Sequence, residues 1–181
     1  MGFSIKIINM GYNIFGGIDM SFIGVVTDKK SESEIYNNLS KDFADKKMKN
    51  KVIMINEKNI DNVKNIKFET VLVNKKISKN MQTMEKILDN AKVLVVNSDI
   101  DTGLNKIDNL RITTITYGFN PKSTVTTSSV TDEEMLLCIQ RSIKNINENT
   151  LEPQEIRIEK SVQNKNPYII FGTQIVRILY N

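Results

Sequence analysis

Short apolar runs alternate with amphipathic stretches along the first two-thirds of the chain. Uninterrupted runs of Val, Ile and Leu are typical of strands that are buried on both faces. Between these runs, apolar residues recur at spacings of three and four, which indicates helices with one apolar face. The predicted strands lie near 3–8, 22–27, 52–55, 71–73 and 93–96, and the predicted helices near 31–48 and 78–91. Ser31 and Glu34 match a capping box at the start of the first helix, and Ser78 is the predicted cap of the second.

Past residue 110 the pattern changes to extended segments with alternating apolar and polar residues. Strands are predicted over 112–117 and 124–130, a long hairpin joins 136–143 to 155–159, and Pro167 starts a closing helix. The sequence therefore predicts an α/β fold. A mostly parallel, Rossmann-like three-layer sheet is followed by a smaller antiparallel β-ribbon and a C-terminal helix. Residues 1–122 would form the parallel domain and 123–181 the antiparallel extension, packed together as one compact unit.

Composition narrows the class of protein. The 181 residues are 40% hydrophobic and 25% charged, with a single cysteine, Cys138, so no intrachain disulfide can form. No leader segment or bilayer-length apolar run is visible, and we expect a cytoplasmic protein without a membrane partner. The chain has no histidine, which excludes Ser-His and Cys-His nucleophile pairs and Cys/His zinc sites. Any catalysis would need carboxylates, lysine or carboxylate-bound Mg²⁺.

The formal net charge of +4 is concentrated in the lysine-rich N-terminal half, with four lysines within 46–51. A basic cluster can attract phosphates or nucleic acid. The chain lacks the interleaved arginines and aromatics of nucleic-acid sites, so a solvated surface is favoured and nucleic acid is not the expected partner. Exposed edge strands invite pairing, which leaves a homodimer open.

Three segments that follow predicted strands are candidate sites. The first, 10–17, is glycine-rich but matches no phosphate-loop spacing. The second, 97–103, contains Asn97, Asp99 and Asp101. Asp99 and Asp101 could hold Mg²⁺ through water or accept from a ribose hydroxyl, and the segment could equally turn the chain out of a strand. The third, 116–121, contains Tyr117 and Gly118 and is an ordinary strand ending when taken alone.

Taken together, the second and third segments resemble the late central domain of the Mur ligase family, which includes folylpolyglutamate synthetase. The shared features are an apolar strand ending in Asn97-Ser98-Asp99, a later strand ending in Tyr117-Gly118, an extended ribbon over 124–159 and a helix from Pro167. The resemblance implies an ATP-dependent, amide-forming ancestry. The family's Gly-x-x-Gly-Lys-[ST] phosphate loop, carbamylated lysine and metal-binding histidine have no counterpart. Ile100 stands where the family has a second acid, and the asparagine pair that opens the last helix is reduced to Asn166.

Three hypotheses follow. The first is a non-catalytic Mur-ligase-like domain, without cofactor or metal, that binds a partner protein or a small polar ligand at Asn97, Asp99, Asp101, Tyr117 and Gly118. The alternative is an ATP- and Mg²⁺-dependent amide ligase component, related to cell-wall or folate-type ligases, that a partner chain completes. A third is a module that binds anionic surfaces through the lysine-rich half.

Overall fold

The computed structural model describes residues 22–42, 52–106, 111–159 and 166–181. Within these ranges the strands are β1 (Phe22–Val26), β2 (Val52–Ile55), β3 (Phe68–Val73), β4 (Val93–Asn97), β5 (Thr113–Tyr117), β6 (Val125–Val130), β7 (Glu134–Ile139), β8 (Ile143–Lys144), β9 (Thr150–Leu151) and β10 (Gln154–Glu159). The α-helices are α1 (Lys29–Asp42), α2 (Ile60–Val63), α3 (Met81–Asp89) and α4 (Pro167–Leu179), and Leu104–Lys106 forms a short 3-10 helix.

Eight strands form one sheet in the order β10-β7-β6-β5-β4-β3-β1-β2, and β8 pairs with β9 separately. The neighbours from β2 to β6 are parallel, whereas β6, β7 and β10 are antiparallel. The predicted α/β fold, with its parallel sheet, antiparallel ribbon and closing helix, is confirmed.

Two apolar cores cover the two faces of the sheet. Alternate residues of each central strand point to opposite faces, so that Val95 packs with α1 and α4 while Leu94 packs with α2 and α3. The near-continuous apolar strands are explained by this burial on both faces.

The antiparallel ribbon continues the same sheet beyond the carboxyl ends of the parallel strands. β5 and β6 are joined at one residue pair, Tyr117 with Val125, so β6 begins level with the end of β5. The inward-facing Met135, Leu137 and Ile139 of β7 are buried in the same core as α4. The sheet and this core therefore both cross the predicted boundary at 122–123.

Element boundaries differ from the sequence prediction at two helix starts. Helix α1 begins at Lys29, and the Asp28 carboxylate accepts hydrogen bonds from the backbone N–H groups of Lys30 and Ser31. The prediction of Ser31 as the cap is wrong, because the helix begins two residues before it and the Asp28 side chain caps its first turn. Asn80, not Ser78, precedes α3.

Some predicted features lie outside the described residues, namely the strand over 3–8, the glycine-rich segment 10–17 and the lysines of 46–51. Across the ranges that the structure does describe, no helix combines the length and apolarity needed to cross a bilayer.

Candidate functional site

The last residue of β4 and the loop that follows it carry three of the predicted site residues. Asn97 is buried; its side-chain oxygen accepts from the Asp99 backbone N–H at 2.9 Å, and its side-chain amide donates to Asn74 Oδ1 at 2.8 Å. Asn97 therefore shapes its own turn and ties it to the residue that follows β3.

Asp99 joins this loop to the loop that follows β5. Its Oδ2 accepts from the Phe119 N–H at 2.6 Å and its Oδ1 from the Asn120 N–H at 3.1 Å. Gly118 has φ +152°, and a Cβ placed on it would lie 2.5–2.6 Å from the Asp99 carboxylate. The close approach of carboxylate and backbone thus requires glycine at position 118.

Tyr117 lies beneath this contact in the core. Its ring centroid lies 6.0 Å from that of Phe171, and its hydroxyl has no hydrogen-bond partner within the described part of the chain. Burial, together with the charges of Asp99 and Tyr168, raises the pKa of Tyr117. Above it, the half-exposed Phe119 meets Tyr168 edge-on at 5.5 Å, and burial followed by the Asp99 charge raises the pKa of Tyr168.

Asp101 contacts the loop that follows β3. Its Oδ2 pairs with Lys76 Nζ at 2.9 Å and its Oδ1 accepts from the Gly103 N–H at 3.0 Å. The Ile77 N–H donates to the Thr102 carbonyl at 2.9 Å. Together with the Asn97–Asn74 contact, these bonds hold the segment 74–80 in place beside the loop that follows β4.

The structure brings Asn97, Asp99, Tyr117 and Gly118 together, and it places Asp101 against the segment 74–80. In each case the protein's own groups occupy the hydrogen-bonding atoms described above, apart from the unpaired Tyr117 hydroxyl. Ligand binding by these five residues stays a prediction.

The sequence prediction did not include an open cleft of about 330 Å³ at the ends of β1, β2 and β3. Its walls are formed by Val25, Thr27, Lys29, Glu32, Met54, Ile55, Asn56, Glu57, Lys58 and Lys75. A smaller recess of about 30 Å³ adjoins it between the same strand ends and residues 75–80.

The position of the cleft follows from the strand order. In the order β2-β1-β3-β4-β5 the chain turns to one side of β1 for β2 and to the other side for β3. Open α/β sheets bind ligands at such a switch point, beyond the carboxyl ends of the strands. The signal was not available from residue patterns because they predict strands but not their order in the sheet.

The charges around the cleft favour an anion. Lys29, Lys58 and Lys75 are exposed and have no ion pair with any described residue. The carboxylates of the cleft wall are Glu32 and Glu57, and Glu57 lies 3.8 Å from Lys79. With three lysines against two carboxylates, the lining of the cleft has a formal charge of +1, which gives a modestly positive local potential.

Thr27 supplies an unpaired hydroxyl in this wall. Thr27 follows β1, is 7% exposed and lines the cleft and the recess, and its Oγ1 has no hydrogen-bond partner among the described residues. A buried hydroxyl without a partner costs stability.

No cluster of three or more acidic or cysteine side chains suited to a metal ion occurs in the part of the chain that the structure describes. No protein-family model matches this sequence, and no curated protein matches it either. The resemblance to the Mur ligase family therefore rests on the short motifs alone.

Proposed function

We propose that this chain is a non-catalytic binding domain that holds a small anionic ligand in the cleft at the ends of β1, β2 and β3. The observation that carries the proposal is the coincidence of an open cleft of about 330 Å³ with the topological switch point and three unpaired lysines. A volume of this size lies at the small end of the range for ligand sites, roughly 300–1,000 Å³.

The chemistry of the walls supports binding in preference to catalysis. The chain has no histidine, and the lining lysines are exposed. A nucleophilic lysine is commonly activated by desolvation in an apolar pocket, and these side chains are in contact with solvent. Ammonium and amide groups that lie next to the ends of buried strands are suited to recognising a ligand.

The proposal keeps the hypothesis of a non-catalytic, Mur-ligase-like domain. It places the ligand at the ends of β1, β2 and β3 and not at residues 97–103 and 117–120 on the same edge of the sheet. Asp99 already accepts from two backbone N–H groups, so a ligand there would have to displace the protein's own carboxylate. Asn97 and Asp101 would support the cleft indirectly, because they hold the segment 74–80 that carries Lys75.

A titration followed by ¹⁵N–¹H correlation spectra tests the proposal, with citrate, inorganic phosphate and Mg-ATP as probes. We expect citrate or phosphate to shift the amides of Thr27, Lys29, Lys58 and Lys75, with affinity that falls as salt rises. Lys75→Gln should weaken binding about tenfold, the scale of one charge-assisted contact. Lys86→Gln on α3 removes the same charge outside the cleft wall and should leave the affinity unchanged.

Two results would count against the proposal. Anions that shift no cleft amide would show that the cleft is not a binding site. Binding of Mg-ATP that Asp99→Ala abolishes, with shifts around residues 97–103 and 117–120, would instead support the nucleotide-dependent ligase component.

A further inference from the structure

The start of α1 is the place where an α/β sheet of this type offers backbone N–H groups to an anion. The helix has 14 residues and follows β1 directly at the switch point. The free N–H groups and the dipole at a helix N-terminus together hold phosphate groups in many proteins. Thr27 and Lys29, on either side of Asp28, both line the cleft.

In this chain a side chain of the protein occupies that position. Asp28 Oδ1 accepts from the Lys30 N–H at 2.8 Å and from the Ser31 N–H at 3.0 Å. Asp28 Oδ2 accepts from the Ser31 hydroxyl at 2.8 Å. Three donors that a phosphate oxygen could use are therefore bound to an internal carboxylate.

The charge on that carboxylate is present at neutral pH. Partial burial opposes ionisation of Asp28, but the hydrogen bonds from Ser31 and Lys30 outweigh it and lower its pKa. A ligand anion at the start of α1 would therefore meet a negative charge at close range. The same anion is attracted by the lysines of the cleft wall.

We infer that Asp28 is a specificity-determining residue, an internal anion that closes the start of α1 to phosphate and leaves the lysines of the cleft wall to bind the ligand. The inference rests on the proposed function, since it concerns which anions the cleft admits. The inference predicts that the cleft binds a compact anion through side chains and does not hold the phosphates of a nucleoside triphosphate on backbone N–H groups.

Replacement of Asp28 tests the inference with inorganic phosphate and pyrophosphate as probes. Asp28→Gly removes the internal anion at a position where glycine is tolerated, and Asp28→Asn removes the charge but keeps an acceptor. In the wild type we expect phosphate to leave the Lys30 and Ser31 amides unshifted. In Asp28→Gly these two amides should shift, and phosphate should bind at least tenfold more tightly, with Asp28→Asn in between.

Asp132→Asn, in the exposed turn between β6 and β7, makes the same change in net charge and is the matched control. The inference is overturned if both Asp28 variants, folded by circular dichroism, bind phosphate no more tightly than the wild type, or if Asp132→Asn gains as much. If wild-type phosphate binding already shifts the Lys30 and Ser31 amides, the inference fails while the proposal of an anion-binding cleft stands. If phosphate shifts no cleft amide in the wild type but binds Asp28→Gly, the inference stands and the proposal of an anion-binding cleft fails.

Discussion

Tyr117 and Tyr180 are both buried, but their hydroxyl groups differ in hydrogen bonding. The Tyr117 hydroxyl has no hydrogen-bond partner among the described residues, whereas the Tyr180 hydroxyl donates to Thr70 Oγ1 at 3.2 Å. We expect Tyr117→Phe to leave the free energy of unfolding unchanged or to raise it by up to about 2 kcal/mol, because an unsatisfied buried group is removed. Tyr180→Phe should lower it by about 1 kcal/mol, because a hydrogen bond is lost. Urea unfolding of the two variants at pH 7 measures the difference, and a larger loss in Tyr117→Phe would contradict it.

The same side chains predict how stability changes at alkaline pH. Burial raises the pKa of both tyrosines above the value of about 10 expected in the unfolded chain. Below pH 10 both states keep the protons. Above it the unfolded chain releases them first, so unfolding becomes easier by up to about 1.4 kcal/mol per pH unit for each tyrosine. Urea unfolding between pH 9 and 11 should show a shallower decline in Tyr117→Phe than in the wild type, and parallel curves would exclude this role.

At the residue scale, the sequence predicted the place of Asp99 but not its partners. Strand patterns put Asn97 and Asp99 at the carboxyl end of a buried strand, and Tyr117 and Gly118 at the end of the next. The Phe119 and Asn120 N–H groups that Asp99 binds lie about twenty residues further along the chain. Their approach depends on the register of β4 and β5 and on the backbone of Gly118, which residue patterns do not encode.

At the scale of elements, the ends of β4 and β5 are held by a contact whose two sides can be removed separately. Gly118→Ala should destabilise the fold by about 1–3 kcal/mol, because a Cβ would meet the Asp99 carboxylate and the positive φ disfavours other residues. Asp99→Ala alone should cost about 1 kcal/mol, since two backbone N–H groups lose their acceptor. In the double variant the steric conflict is absent, so its loss should be smaller than the sum of the two single losses. Thermal unfolding of the four proteins checks this, and additive losses would show that the carboxylate and Gly118 are not coupled.

Elements were predicted best where the signal was longest. The apolar strands and the amphipathic α3 and α4 are found near their predicted positions. Helix α2 was missed because four residues, Ile60–Val63, are too few to show a helical period. The start of α1 was misplaced because the capping-box pattern pointed to Ser31, whereas the Asp28 carboxylate accepts from the N–H groups of Lys30 and Ser31 and from the Ser31 hydroxyl.

At the scale of the whole molecule, the antiparallel ribbon and the parallel sheet are linked weakly by backbone and strongly by side chains. β5 and β6 share one paired position, yet Met135, Leu137 and Ile139 of the ribbon lie in one core with Phe171 of α4 and Val95 of β4. Helix α4 thus packs on both parts, and its burial would be lost if either part unfolded alone. We therefore expect the two parts to unfold together, as one cooperative unit.

Hydrogen exchange measures this directly. Amides in the β7–β10 ladder and in the β3–β4 ladder should exchange with the same free energy of opening at low denaturant, equal to that of global unfolding. Leu137→Ala, a large-to-small change in the shared core, should lower both by the same amount, roughly 2–5 kcal/mol. Leu88→Ala in the core on the opposite face should do the same to both ladders, because that core includes β3 and β4. If Leu137→Ala instead released only the β7–β10 amides, the ribbon with α4 would be a separate folding unit, and the division at residue 122 would separate two domains.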